Sequence, residues 1–279
     1  MIPGAFNALT AKVAERLGYK AVYFSGGALS AGWAGLPDVG LLGLSEFAEQ
    51  AAVLVRATSL PVLCDADTGF GEAIHVERTV RLFEEVGAAG VHIEDQAMPK
   101  RCGHLSGKAL VDSQTMAAKI RAATASRRDR QFVIVARTDA RSVEGFDAAV
   151  ERARAYLSAG ADMIFPEALE SKEEFARFAA LVDSPLLANM TEFGRSPLIS
   201  FADLAAAGYK AVIYPLTALR AAMRAAEFAL TAIRDRGTQK DILDRMQTRA
   251  ELYDLIGYTE WDARDRSYFT PNEPTTPAH

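Results

Sequence analysis

Residues 91–104 read Val-His-Ile-Glu-Asp-Gln-Ala-Met-Pro-Lys-Arg-Cys-Gly-His. A short apolar run ends in two carboxylates, Glu94 and Asp95. Lys100, Arg101, Cys102 and His104 then gather two fixed cations, a thiol and an imidazole. Cationic neighbours lower a thiol's pKa and make it a readier proton donor or nucleophile, so Cys102 is the first candidate for chemistry. Gly103 lets the backbone turn sharply between thiol and imidazole. The competing reading is a polar surface loop with an incidental cysteine.

Other short apolar runs also end in reactive groups. Asp65 and Asp67, followed by glycines, can present oxygens to a hard cation, and Mg2+ prefers one or two carboxylates plus waters and substrate oxygens. Glu94 and Asp95 could hold those waters; alternatively Asp67 caps a turn. Ser25-Gly26-Gly27 offers a hydroxyl and backbone N–H groups to a carboxylate. Arg137 closes an apolar run and needs an anion, either a substrate carboxylate gripped by both arms or an internal partner, Asp139 or Glu167. Cys64 lies inside an apolar run and reads as core; His92 alternates within its run and reads as packing or local bonding. A metal, a carboxylate-binding loop, an arginine clamp and an acidic thiol, with no strand-end lysine for a Schiff base, suit forming or breaking a C–C bond beside a carboxylate.

What positions these groups is a repeating unit. Strands are expected at 21–24, 61–64, 90–93, 132–136, 163–165, 185–188 and 211–214, with a truncated one at Ile2. Helices are expected at 8–17 (capped by Asn7), 46–57 (capped by Ser45), 73–86, 113–125 (capped by Asp112), 146–159, 172–182, 201–207 and 216–236, and a Gly-rich loop runs on from Ser25 past Leu36-Pro37-Asp38. Four joints repeat a helix end, a glycine cap and a strand start: Leu17-Gly18-Tyr19, Val86-Gly87-Ala88, Ala159-Gly160-Ala161 and Ala207-Gly208-Tyr209. Eight such units without a composition shift predict an α/β (β/α)8 TIM barrel over 1–237, whose active site lies at the C-terminal strand ends. A doubly wound open sheet is the alternative. Residues 238–270 read as a helical extension packing on the barrel or a neighbour, and 271–279, rich in Pro and Thr, as a disordered tail.

Composition excludes several classes. The 279 residues are 49% hydrophobic and carry a formal net charge of −5, which gives no reason to expect nucleic acid or an anionic membrane as partner. No apolar run is long enough to span a bilayer and no signal peptide is expected. Two cysteines make no disulfide framework, and the expected location is the cytoplasm, with both thiols reduced.

Lys100-Arg101-Cys102-Gly103-His104 resembles the signature loop of the isocitrate lyase and phosphoenolpyruvate mutase superfamily. Tyr23-Phe24-Ser25-Gly26-Gly27, Gly35-Leu36-Pro37-Asp38, Asp65-Ala66-Asp67-Thr68-Gly69-Phe70-Gly71, His92-Ile93-Glu94-Asp95-Gln96, Ala136-Arg137-Thr138-Asp139, Phe165-Pro166-Glu167, Asn189-Met190-Thr191-Glu192-Phe193-Gly194 and Gly237-Thr238-Gln239-Lys240 narrow the likeness to its 2-methylisocitrate lyases, from about residue 4 to 258. The family's N-terminal helix and most of its first strand have no counterpart here.

The resemblance implies cleavage of 2-methylisocitrate to pyruvate and succinate in the methylcitrate cycle of propionate catabolism. It implies Mg2+, with Mn2+ as an alternative, on Asp65 and Asp67 with Glu94 behind them. Tyr23, supported by Asp38, becomes the candidate base, although an unperturbed tyrosine is a weak base near pH 7. Cys102 becomes the acid that protonates the succinate carbanion, with Lys100 and His104 beside it. Substrate carboxylates fall to Ser25, Gly26, Gly27, Gly103, His104, Arg137, Asn189, Thr191, Arg220 and Arg249. Glu167 faces substrate or metal-bound water. Phe165 and Ile213 would set methyl tolerance. A homotetramer that swaps the last barrel helix is implied as well. Relatives acting on dimethylmalate, oxaloacetate or isocitrate remain alternatives, because a methyl pocket discriminates by only ~1–3 kcal/mol. A phosphonomutase, which needs no such proton donor, and a catalytically dead barrel serving as a binding module stand further off.

Overall fold

The structure is a computed structural model that describes residues 1–269. The tail expected to be disordered, 271–279, lies outside the described residues. The chain falls into two units, Met1–Arg224 and Ala225–His279.

The first unit alternates strand and helix. In order come β1 (Ile2–Pro3), α1 (Ala8–Arg16), β2 (Val22–Phe24), α2 (Gly26–Gly32), α3 (Leu44–Ala57), β3 (Val62–Asp65) and α4 (Ala73–Glu85). Then follow β4 (Gly90–Glu94), α5 (Ser113–Ser126), β5 (Val133–Thr138), α6 (Phe146–Ser158), β6 (Met163–Pro166), α7 (Lys172–Leu181), β7 (Leu187–Asn189), α8 (Phe201–Ala206) and β8 (Ala211–Tyr214). Helix α9 (Thr217–Arg236) continues into the second unit, which holds a 3-10 turn at Lys240–Arg245, α10 (Arg249–Leu255) and α11 (Tyr258–Phe269).

All strand pairs are parallel. β2 to β6 form one run and β7, β8 and β1 another. Single parallel bridges, Gly4 with Tyr23 and Ile164 with Leu186, join the two runs, so the eight strands follow one cyclic order. The fold is the α/β barrel of the expected kind.

Local chemistry explains the boundaries. Asn7, Asp112, Ser171 and Ser200 each cap a helix with a side-chain oxygen. The four glycines of the repeated joint all adopt positive φ: Gly18, Gly87, Gly160 and Gly208, the conformation that ends a helix at least cost. Two expectations are corrected. The Gly-rich segment after Ser25 is helical, because Ser25 Oγ accepts the Ala28 N–H and starts α2. And α3 begins at Leu44 rather than after a Ser45 cap, with the Gly43 N–H donating to Glu46 Oε2.

The alternation of each strand sorts its side chains into two layers. Val22, Phe24, Val62, Cys64, Val91, Ile93, Ile134, Ala136, Ile164, Ala188 and Val212 belong to the main core, which the helices complete. Tyr23, Val135, Phe165, Leu187, Ala211 and Ile213 form a separate inner cluster. Whatever continues the inner parity at a strand's C-terminal end is delivered to the mouth of the barrel.

Candidate active site

The inner parity runs Tyr23 to Ser25, Leu63 to Asp65 to Asp67, His92 to Glu94, Val135 to Arg137, Phe165 to Glu167, and Leu187 to Asn189 to Thr191. A cavity of about 60 Å3 opens there, lined among others by Tyr23, Ser25, Gly27, Asp38, Asp65, Arg137, Phe165, Glu167, Asn189, Thr191 and Ile213 from the barrel. Lys100, Arg101, Cys102, Gly103 and His104 line it from the loop after β4. Most of the expected site residues therefore line one cavity, with Phe165 and Ile213 as apolar parts of its wall.

The loop rests on the barrel's charges. A Cβ on Gly103 would stand 2.4 Å from Arg137 Nη2 and 2.4 Å from Glu167 Cγ, so only glycine fits there. His104 Nδ1 accepts the Arg195 N–H at 3.0 Å, and its Nε2 lies 3.1 Å from Glu167 Oε1. Lys100 pairs with Asp38 and, at 2.7 Å, with Asp67 Oδ1.

This overturns the expected setting of Cys102. The cations do not acidify it: Lys100 is spent on carboxylates and Arg101 is exposed. Burial pushes the thiol's pKa up, and Glu167 and Asp38 add to this against the His104 amide and Arg137. The thiol stays protonated at neutral pH, which favours an acid over a thiolate nucleophile. Cys64 is fully buried core, as expected.

Tyr23 changes too. Its Oη lies 2.7 Å from His92 Nε2 and 3.4 Å from Asp65 Oδ2. Burial and the Asp65 charge hold the phenol well above its ordinary range, so it is no ready base on its own. His92, read as packing or bonding locally, is its partner, 69 residues away in sequence. Burial lowers the imidazole's pKa, with Asp65 opposing, so the ring is neutral.

Arg137 meets three carboxylates: Asp139 Oδ2 at 2.9 Å, Glu94 Oε2 at 3.3 Å and Glu167 Oε2 at 3.3 Å. The internal ion pair and the cavity-lining position thus hold together. Glu167 also accepts from Asn189 Nδ2 at 3.2 Å; burial opposes its charge, but Arg137 and His104 keep it well below the usual carboxylate range.

Four further expectations are corrected. Asp95 does not join Glu94 near a metal, because adjacent residues of a strand point to opposite faces. It turns outward and accepts from Thr138 Oγ1 (2.7 Å), Tyr156 Oη (2.8 Å) and the Asp139 N–H (2.9 Å). Gly26 offers its N–H to Asp65 Oδ2 at 3.0 Å rather than to a ligand. Arg220 is engaged by the Glu192 carbonyl and Oε2 at 2.8 and 2.7 Å and does not line the cavity. Arg249 opens α10 in the second unit and is exposed. Residues missed in the sequence are His92, Lys108, Arg152 and Tyr156. Inner parity could have found His92, whereas the other three act across long sequence separations.

A hard cation fits the carboxylates. Asp67 Oδ1 and Glu94 Oε1 are buried and accept no hydrogen bond of ordinary geometry; the counter-charge at Asp67 is the Lys100 ammonium. Burial pushes the Asp67 carboxyl up to about 7, with Asp65 and Asp38 adding against Lys100. Among the described residues no group of three or more acidic, His or Cys side chains is placed to hold a metal ion.

The sequence matches the phosphoenolpyruvate phosphomutase family over residues 1–234. It is 56% identical over 263 residues to the 2-methylisocitrate lyase of Aeropyrum pernix, covering 94% of this chain and 84% of that one. Among solved structures it resembles 2,3-dimethylmalate lyase, with TM-score 0.90, 35% identity, and coverage of 100% of this chain and 93% of that one. It also resembles a phosphonopyruvate hydrolase complex containing oxalate and Mg2+, with TM-score 0.87, 32% identity, and coverage of 96% and 94%.

Proposed function

The chain belongs to the phosphoenolpyruvate phosphomutase family, and on that premise we propose that it is a carbon–carbon lyase splitting 2-methylisocitrate into pyruvate and succinate. The observation that carries this reading is the Cys102 thiol, kept protonated by burial on the loop that covers a cavity lined by Ser25, Arg137, Asn189 and Thr191. Cleavage beside a carboxylate leaves a carbanion, and an un-ionised thiol is a suitable donor to it. The 56% identity to a 2-methylisocitrate lyase favours that substrate over dimethylmalate.

The residues divide the work. Arg137, Asn189, Thr191 and Ser25 bind and orient the carboxylates, and Phe165 with Ile213 receives the methyl group. The hydroxyl proton passes to Tyr23 as Tyr23 gives its own to neutral His92, so no free phenolate forms. Asp65, 3.4 Å from His92 Nε2, stabilises the imidazolium. Cys102 then protonates the succinate carbanion. Asp65 and Asp67, with Glu94 behind, would hold Mg2+, which supplies Lewis acidity at the developing oxyanion.

The need for a free Cys102 suits a reducing compartment, the cytoplasm, and the substrate places the chain in the methylcitrate cycle. No described helix is long and apolar enough to cross a membrane. Met223, Phe228, Leu230 and Ile233 stand exposed along α9, apolar surface that a helix exchanged between subunits of a homotetramer would bury.

The test is pyruvate release from 2-methylisocitrate, isocitrate, 2,3-dimethylmalate and oxaloacetate, with Mg2+ and with EDTA. Mg2+-dependent release with kcat/KM highest on 2-methylisocitrate is expected. A higher value on another acid reassigns the substrate.

A further inference from the structure

Lys108 is a buried ammonium that no step above uses. Its side chain is 1% exposed. It sits at the far end of the Cys102 loop, just after the left-handed turn at Gly107. Its Nζ donates to the Gly103 carbonyl and, at 2.7 Å, to Asp139 Oδ1.

Asp139 belongs to the barrel and is firmly held. Its N–H donates to Asp95 Oδ1 at 2.9 Å, and its carboxylate takes Arg137 Nε at 2.9 Å and Nη2 at 3.2 Å. One carboxylate therefore receives both the arginine that faces the cavity and the lysine that reaches the loop. The atom that Lys108 holds on the loop side is the carbonyl of Gly103, next to Cys102.

A buried ion pair is weak grounds for stability, because desolvation offsets much of its attraction. What it fixes well is geometry, through directional bonds to charged groups. The loop's other ties fall at its other residues: Gln96 holds the Arg101 backbone at 2.8 and 2.9 Å, Lys100 reaches Asp38 and Asp67, and His104 meets Arg195 and Glu167. Moreover, about 60 Å3 is far below the ~300 Å3 at which small-molecule sites begin. With the loop seated as it is, the cavity is smaller than a tricarboxylate needs, so the loop's seating bears on both access and the position of the thiol.

We infer that Lys108 is a positioning residue: it latches the Gly103 carbonyl to Asp139 and so couples the seating of the Cys102 thiol to the Arg137 clamp. The inference deepens the lyase reading only in its kinetic consequence; the latch itself is independent of substrate and metal.

Thiol alkylation of the whole chain by iodoacetamide reads it directly. Cys102 is partly exposed and Cys64 is buried with its pKa pushed up, so Cys64 is an internal silent control. Lys108→Met should speed Cys102 alkylation by about 10- to 100-fold, the size of one lost charge-assisted hydrogen bond. Cys64 should stay unmodified, as it would not in an unfolded chain. In turnover, kcat should fall by a similar factor while KM moves far less. Lys108→Gln, with an N–H donor but no charge, serves if Lys108→Met fails to fold, and should also speed alkylation. Wild-type alkylation in the folded variant overturns the latch. Faster alkylation in a chain whose wild type cleaves none of the four acids would keep the latch and remove the lyase reading.

Discussion

Gly103→Ala isolates the contact between loop and barrel. The new Cβ would lie 2.4 Å from both Arg137 Nη2 and Glu167 Cγ and 2.8 Å from Glu167 Cδ. Ordinary carbon contacts begin near 3.5 Å, so one side must retreat by about 1 Å. Arg137 and Glu167 are buried and tied to each other, to Asp139, Glu94, Asn189 and His104, so the loop is the side that moves. A misplacement of about 1 Å can cost ~100-fold in rate, equivalent to ~2.7 kcal/mol of transition-state stabilisation. We expect kcat/KM for pyruvate release to fall by about that factor, with a melting temperature near wild type because the loop, not the core, absorbs the strain. Gly107→Ala is the control: its Cβ would approach only Arg101, at 3.8 Å, so the substitution carries the φ +79° strain without the clash. A Gly103→Ala enzyme within about threefold of wild type, well inside the ~100-fold expected, would mean that the loop does not rest on Arg137 and Glu167 during turnover.

Cys102→Ser should lower kcat by the ~10²–10⁴-fold typical of removing a positioned acid, while calorimetry still detects 2-methylisocitrate binding; near-normal turnover would remove Cys102 as the acid. Asp67→Asn should weaken Mg2+ binding in calorimetry by more than the ~10–100-fold typical of losing an outer-sphere partner, and unchanged affinity would move the metal elsewhere. The pH profile of Cys102 alkylation should have its midpoint above the ordinary thiol value of ~8.5, because burial disfavours the thiolate. The rate should therefore keep rising where a free thiol has levelled off, and a midpoint below neutrality would restore the cation-activated thiolate.

Much of this site was legible because a strand's parity is a sequence property. Tyr23, Asp65, Arg137, Phe165, Glu167 and Asn189 occupy inner positions at fixed even spacing, so locating the strands located the side chains that line this cavity. The same parity separates Glu94 from Asp95. The charge state of Cys102 was not legible. Lys100 and Arg101 are its neighbours in sequence, but Lys100 reaches Asp38, 62 residues earlier, and Asp67. Long-range pairing and burial decide a pKa, and neither is local. For the same reason α2 was missed: two glycines argue for a loop, yet the Ser25 cap and burial of Ala28 and Leu29 carry the helix.

Asp95 shows why the residue facing away from the cavity matters to the chemistry inside it. Its carboxylate is buried, and burial together with Asp139 raises its pKa against the donors that hold it. Thr138, Tyr156 and the Asp139 amide occupy its oxygens, with Arg152 Nη1 at 3.4 Å. Arg152 is in turn gripped by Glu144 through two contacts of 2.7 Å. Helix α6 thereby fixes the turn after β5. That turn carries Asp139, Asp139 orients Arg137 and anchors Lys108, and Lys108 holds the loop beside the thiol. A group inside the barrel and a group on the lid are brought to register by one carboxylate outside the barrel. The desolvation these buried charges cost is tolerated where geometry, not stability, is what the reaction needs.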